Sequence, residues 1–190
     1  MIIATDFSEK RIATAKQNQK KYAQKRIQFA VMDNLKMTFP EQLFDIVCAR
    51  HTIIDAKQIY SCLKRDGILV IEGVDKKDCW EVKSLFRRGQ AFNDAISISQ
   101  KDYQSIQEAG ISEIDRQEII QYEYYQTEQD LLALLFKTSI LNDFVQLHNT
   151  KKSNQNRIEK DKFEEYVKSH ATSKGIELKR VLYGMIAKKG

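Results

Sequence analysis

Apolar residues in this chain come in short blocks separated by polar stretches, and the blocks alternate between strand-like runs and helix-like spacings. Ile2-Ile3-Ala4 reads as a short buried strand with Asp6 just past its end, and Ser8-Glu9-Lys10-Arg11 opens a helix facing inward through Ile12, Ala15 and Tyr22. Arg26 to Met32 is a second strand, ending at Asp33-Asn34. After a loop that carries Pro40, Leu43 to Ala49 is a nearly continuous apolar run, the pattern of a strand covered on both faces, and it stops at Arg50-His51. Ala56 to Lys64 places Ile59 and Leu63 at helical spacing, with Arg65-Asp66-Gly67 as a stop signal, and Gly67 to Val74 is the clearest strand of the chain. This alternation predicts an α/β fold with a mainly parallel sheet.

The second half is less regular. Asp78 to Arg88 predicts a helix with Val82, Leu85 and Phe86 inward, and Ser99 to Ala109 another, closed by Gly110. Ile114 to Tyr125 alternates as a strand, and Glu128 to Lys137 is a strongly apolar helix. Thr150 to Lys162 is polar and reads as a solvated loop feeding a helix through Phe163, Tyr166 and Val167; Gly175 to Lys188 is a closing strand. There are no internal repeats and no linker that demands two domains, so residues 1–190 read as one domain.

Composition narrows the class. The net charge of +5 permits an anionic partner such as RNA, but the lysines and arginines are scattered rather than gathered into one stripe. No apolar run reaches the ~18 residues of a membrane span, and the N-terminus lacks the basic-then-apolar order of a signal peptide. Three dispersed cysteines make no disulfide framework. These features predict a soluble, cytoplasmic protein. With no C-x-x-C or H-x-x-x-H spacing no zinc site is expected, and Cys48, inside an apolar run, reads as a core residue. Asp75 to Asp78 reads as a solvated turn, and His148 and His170 as surface residues.

Chemistry gathers at three strand tips: Asp6, Asp33-Asn34 and Arg50-His51. In open α/β sheets, ligands bind outside the carboxyl ends of the strands, where an acidic residue can accept both hydroxyls of a ribose. The simpler reading of Asp6 is a helix cap forming a D-x-x-E box with Glu9. Arg88 and Gln90, after the third helix, are open to two readings: a substrate-facing pair, or a solvated helix end where cations are favoured anyway.

Three stretches, IIATDFSEKRIATAKQN, IQFAVMDNLKMTFPEQLFDIVCARH and IYSCLKRDGILVIEGV, together resemble the class I S-adenosylmethionine-dependent methyltransferases in order and interval. The last resembles that family's L-x-x-G-G-x-L passage with Asp66 in place of the first glycine, and the tail GIELKRVLYGMIAKK resembles its final, antiparallel strand. The resemblance implies a Rossmann-like three-layer sandwich with residues 1–96 on the cofactor side and 97–190 on the substrate side. It implies S-adenosylmethionine as cofactor, with Asp6 on the ribose, Phe7 against the adenine, and Asp33 on the adenine amino group beside Asn34 and Leu35. Arg50 and His51 would border the methyl donor and the acceptor, a small molecule or RNA. Methyl transfer is an in-line displacement that depends mainly on positioning, so no general base is assigned.

One expected feature is missing. In the resembled family a strand and glycine-rich loop precede the ribose-binding acid by roughly 20 residues, whereas five residues precede Asp6 here. The seven glycines stand at least six residues apart, so no G-x-G occurs. The fold is therefore expected to lack its first βα unit, as an N-terminally truncated methyltransferase would. The gap would close either by pairing of the Ile2 strand with the Phe44 strand, or by a strand from another copy or a complementing chain. Cofactor affinity of the chain alone is expected to be weak. The alternative function is a non-catalytic, degenerate module that binds a partner chain or RNA. A nicotinamide-dependent oxidoreductase is disfavoured, because it too requires the glycine fingerprint.

Overall fold

The computed structural model describes residues 1–21, 26–141 and 154–190, with the side chains of 154–156 left aside. The elements are β1 (Ile2–Asp6), α1 (Glu9–Lys21), β2 (Ile27–Val31), β3 (Phe44–Arg50), α2 (Ala56–Cys62), β4 (Leu63–Val74), α3 (Trp80–Phe86), α4 (Ile98–Glu108), β5 (Glu113–Tyr125), α5 (Glu128–Lys137), α6 (Asn154–His170), β6 (Ala171–Thr172) and β7 (Gly175–Lys188). They form a mixed α/β fold with two sheets: β1 parallel to β2, and a five-stranded sheet in the order β3-β4-β7-β5 with β6 antiparallel to β7. The chain divides into two compact units. The first holds residues 1–70, 104–114 and 186–190, and the second holds 71–103 and 115–185.

In the first unit, α1 starts where Ser8 Oγ accepts the Arg11 amide at 3.3 Å, so Ser8 rather than Asp6 is the helix cap. Ile12 is its buried contact and Ala15 is half-buried, while Tyr22 lies outside the described residues. Helix α2 begins at Asp55, whose carboxylate accepts the Gln58 amide at 3.0 Å. It ends at Cys62, and β4 follows at once; Lys64 to Gly67, expected as a helix end and stop signal, belong to that strand. Asp66 takes the left-handed φ of 59° there, so the strand absorbs the turn-forming triplet.

The expectation that β3 is covered on both faces is overturned: none of its residues is buried, and the same holds for β1 and β2. The reason is a matter of neighbours. β1 pairs only with β2 and β3 only with β4 among the described residues, so direct pairing of the Ile2 and Phe44 strands does not occur. Ile2 (57% exposed) and Ile46 (57%) stay open to water as a result. Cys48, expected in the core, is exposed on β3, whereas Cys62 and Cys79 are buried. Native protein should therefore react with a thiol reagent at one cysteine per chain, and at all three after denaturation. Full reactivity before unfolding would contradict this burial.

The second unit is organised by a core of Cys79, Val82 and Phe86, the α5 residues Leu131, Leu132 and Leu135, Phe163 and Tyr166 of α6, and Ile176 and Leu178 of β7. Helix α6 already starts at Asn154, within the stretch expected as a solvated loop, while 150–153 fall outside the described residues. The Asp75–Asp78 turn is not solvated. Asp78 is 1% exposed, and it accepts the Val181 amide at 2.9 Å and a forked pair of bonds from Arg180 at 2.8 and 3.1 Å. Lys83 is 2% exposed and donates through Nζ to the carbonyls of Lys76 (2.6 Å) and Gln90 (3.1 Å).

Three tyrosines are shielded in this unit, and burial pushes the phenols of Tyr125, Tyr166 and Tyr183 above their ordinary range. Hydrogen bonds to carboxylates, from Tyr125 to Glu123 and from Tyr183 to Asp102, each 2.5 Å long, add to the rise at those two. Above the unfolded-state value of ~10, the unfolded chain releases these protons and the folded chain keeps them, so stability is lost as pH rises past that point. Titration followed at 295 nm and by circular dichroism should show the exposed phenols ionising first and these three ionising only with unfolding. Ionisation of every phenol near pH 10 in a still-folded chain would refute this.

Candidate functional site at the strand tips

The first unit places three strand tips together. Parallel pairing sets Asp6 beside Val31, and the Met32 amide donates to the Asp6 carbonyl at 3.1 Å, so the carboxyl ends of β1 and β2 lie side by side. The tip of β3 is tied in by the loops: Asn34 Nδ2 donates to Thr52 Oγ1 at 2.7 Å. Gln58 of α2 then braces the loop after β2. Its Nε2 donates to the Leu35 carbonyl at 2.8 Å and to Asp55 Oδ2 at 2.7 Å, and its Oε1 accepts the Met37 amide at 2.6 Å.

Each carboxylate at the tips is oriented and only partly used. Asp6 Oδ1 accepts the Ser8 amide at 2.7 Å, while Oδ2 stands 3.5 Å from Arg11 Nη1. The expected box with Glu9 is replaced by this tight turn onto Ser8. Asp33 Oδ1 accepts the Leu35 amide at 2.9 Å. An ionised carboxylate offers about four acceptor positions, so both retain capacity for an outside donor. Around them sit apolar side chains in water: Phe7 is 79% exposed, Leu35 47% and Ile53 72%. Exposed apolar groups beside oriented acceptors make a surface suited to a flat, polar-edged ring system.

Arg50 ends β3 as an exposed residue, and His51 follows with a left-handed φ of 49°. A non-glycine residue held there costs roughly 1 kcal/mol or more, the kind of local strain that clusters at binding sites. Arg88 and Gln90 belong to the second unit. Arg88 Nη2 stands 2.6 Å from Glu159 Oε1, an ion pair whose acid is only 6% exposed at its side chain. Gln90 donates its amide to the Ile140 carbonyl at 3.2 Å and accepts from Ser139 Oγ through Oε1 at 3.2 Å.

The sequence reading missed Asp55 and Gln58, the residues that fix the loop geometry. A signal for Asp55 was present, because an acid directly before an apolar helical period is an N-cap pattern. Nothing local marks Gln58, whose partners Leu35 and Met37 lie more than twenty residues away. Among the described residues no group of three or more His, Cys, Asp or Glu could hold a metal ion, and no helix is long and apolar enough to cross a membrane.

The family model described as a methyltransferase domain matches residues 1–71, the segment that carries Asp6, Asp33 and Arg50. No curated protein matches the chain. Among solved structures, a Bacillus halodurans protein provisionally assigned as a methyltransferase aligns at 14% identity with a TM-score of 0.59, covering 98% of this chain and 82% of that one. The YcgJ protein of Bacillus subtilis aligns at 13% identity and a TM-score of 0.58, with 98% and 81% covered. Phosphoethanolamine N-methyltransferase 2 of Haemonchus contortus, solved with S-adenosyl-L-methionine, aligns at 16% identity and a TM-score of 0.53, covering 98% of this chain and 43% of that one. Residues 1–71 thus match the methyltransferase-domain model, and the chain shares its fold with these solved structures.

Proposed function

We propose that the chain is an S-adenosylmethionine-dependent methyltransferase whose nucleoside-binding half is the cluster at the tips of β1, β2 and β3. One observation carries this reading: the parallel pairing of β1 with β2 sets the two partly used carboxylates, Asp6 and Asp33, at one end of one sheet inside the family-matched segment. The residues fit a nucleoside. Asp6 can accept a ribose diol, Asp33 an exocyclic amino group, and Phe7 with Leu35 supplies apolar surface for the base. When bound, the cofactor supplies an electrophilic methyl on a sulfonium. The chain's own task is to orient the two reactants, with Arg50 and His51 on the acceptor side. Arg88 is left out of this assignment because Glu159 engages its guanidinium.

The β1 and β3 edges, each unpaired among the described residues, favour a finer reading of partners. A strand from a second chain would pair both edges and cover the exposed side chains of Ile2 and Ile46, completing the half of the site for which this sequence has no G-x-G loop. The chain alone is then expected to bind S-adenosylhomocysteine weakly, with a Kd above ~100 μM, about two decades short of micromolar and so ~2.7 kcal/mol weaker. Amide chemical shifts of Asp6 to Ser8 and Asn34 to Leu35 should move on titration, and Asp6→Ala should weaken the effect about tenfold, ~1.4 kcal/mol. Low-micromolar binding would overturn the need for a second chain. Shifts that avoid these tips would overturn the site.

A further inference from the structure

Strand β5 is the far end of the five-stranded sheet, and its outer edge is unpaired among the described residues. It is 13 residues long, and the eight from Asp115 to Tyr122 are all exposed. Exposure falls on both faces: Ile119 (41%) and Ile120 (50%) are neighbours pointing to opposite sides, with Tyr122 (51%) on the Ile120 side. A long edge with apolar groups on both faces is a template for another strand.

We propose that a second copy of this chain occupies that edge, pairing β5 antiparallel to β5 about a two-fold axis through Gln117. An axis normal to a sheet allows only registers in which one residue faces its own copy, and the charge pattern selects among them. Centring on Arg116 sets Arg against Arg, and centring on Glu118 sets Glu against Glu; centring on Ile119 brings Asp115 opposite Glu123. Centring on Gln117 places Arg116 opposite Glu118 and Ile114 opposite Ile120, each pair occurring twice, with no like charges opposed. The side chains are suited to this. Gln100 holds the Arg116 guanidinium by a single bond of 2.8 Å and the Tyr103 ring lies 5.1 Å beneath it, leaving further donors unused. The Glu118 carboxylate makes no hydrogen bond or ion pair among the described residues, so it is available to the partner copy's Arg116.

Sedimentation of the full chain at about 100 μM, a concentration suited to a small interface, should show a dimer. Glu118→Arg should raise the dimer dissociation constant at least tenfold, since both symmetric pairs turn repulsive. The double swap Arg116→Glu with Glu118→Arg should return it to within about threefold of the starting value. In a Cys48→Ser background, Gln117→Cys should form an intermolecular disulfide on mild oxidation and Gln121→Cys should not, because only residue 117 faces itself. A monomer at that concentration, a dimer indifferent to Glu118→Arg, a swap without rescue, or cross-linking at 121 instead of 117 would each overturn the proposal. Circular dichroism of every variant confirms that the chain is folded, and Glu118→Arg serves where substitution of Arg116 disturbs its contacts with Gln100 and Tyr103.

Discussion

Replacing Arg180 with Met is expected to destabilise the chain by about 3–5 kcal/mol, the cost of leaving a buried carboxylate without its partner. Asp78 has a side chain only 2% exposed, and the Arg180 guanidinium forks onto both its oxygens while a third donor reaches Glu123 Oε1 at 2.9 Å. Without Arg180, Asp78 keeps the Val181 amide and a weak contact with Cys79 Sγ at 3.5 Å, too little to replace a hydration shell. Lysine cannot reproduce the fork, so Arg180→Lys should recover less than half of the loss. Asp78→Asn retains an acceptor for the Val181 amide. Combined with Arg180→Met it should therefore cost less than the sum of the two single changes. Urea unfolding of the four proteins measures the coupling. Strict additivity would mean that Asp78 and Arg180 do not act as a buried pair.

Gly73→Ala is the second large effect, expected at about 3 kcal/mol or more. A β-carbon at Gly73 would fall under 3.0 Å from Cζ, Oη and Cε1 of Tyr183. That ring cannot swing away cheaply, since Tyr183 is 3% exposed and its hydroxyl is bonded to Asp102 Oδ2 at 2.5 Å. Desolvation raises the pKa of Asp102, which lies under the same cover. On a Tyr183→Leu background, where the ring is gone, Gly73→Ala should cost less than ~1 kcal/mol. Equal cost on both backgrounds, read from denaturant midpoints, would rule out the clash as the cause.

Both effects come from residues whose importance is invisible locally. Asp78 is separated from Arg180 by 102 positions, and in sequence it is one charge in an ordinary Asp-Lys-Lys-Asp turn. Lys83 likewise looks like the polar face of α3, yet among the described residues it is the largest of the fully buried side chains, its ammonium held by two carbonyls. Burial lowers the pKa of this lysine. A charged side chain is placed inside only when partners from distant segments arrive, and periodicity carries no record of them.

Several features, by contrast, were legible from the residues alone. Among the described residues, alternating and helical periods located every strand except the two-residue β6 and every helix, with α5 and β7 at the expected bounds, because side-chain period follows directly from backbone geometry. The acids at the ends of β1 and β2 were legible too, since a polar residue closing an apolar run marks a strand tip. What the tertiary structure alone decided is which strands have neighbours. An apolar run such as Leu43 to Ala49 states that a strand can be buried, but burial belongs to whatever packs on it, and β3 has β4 on one side and no strand on the other among the described residues. The same rule leaves β5 an edge, buries Asp78 and Lys83, and lets Gln58 brace a loop more than twenty residues away. Local sequence specifies element and phase; the company each element keeps is a property of the whole chain.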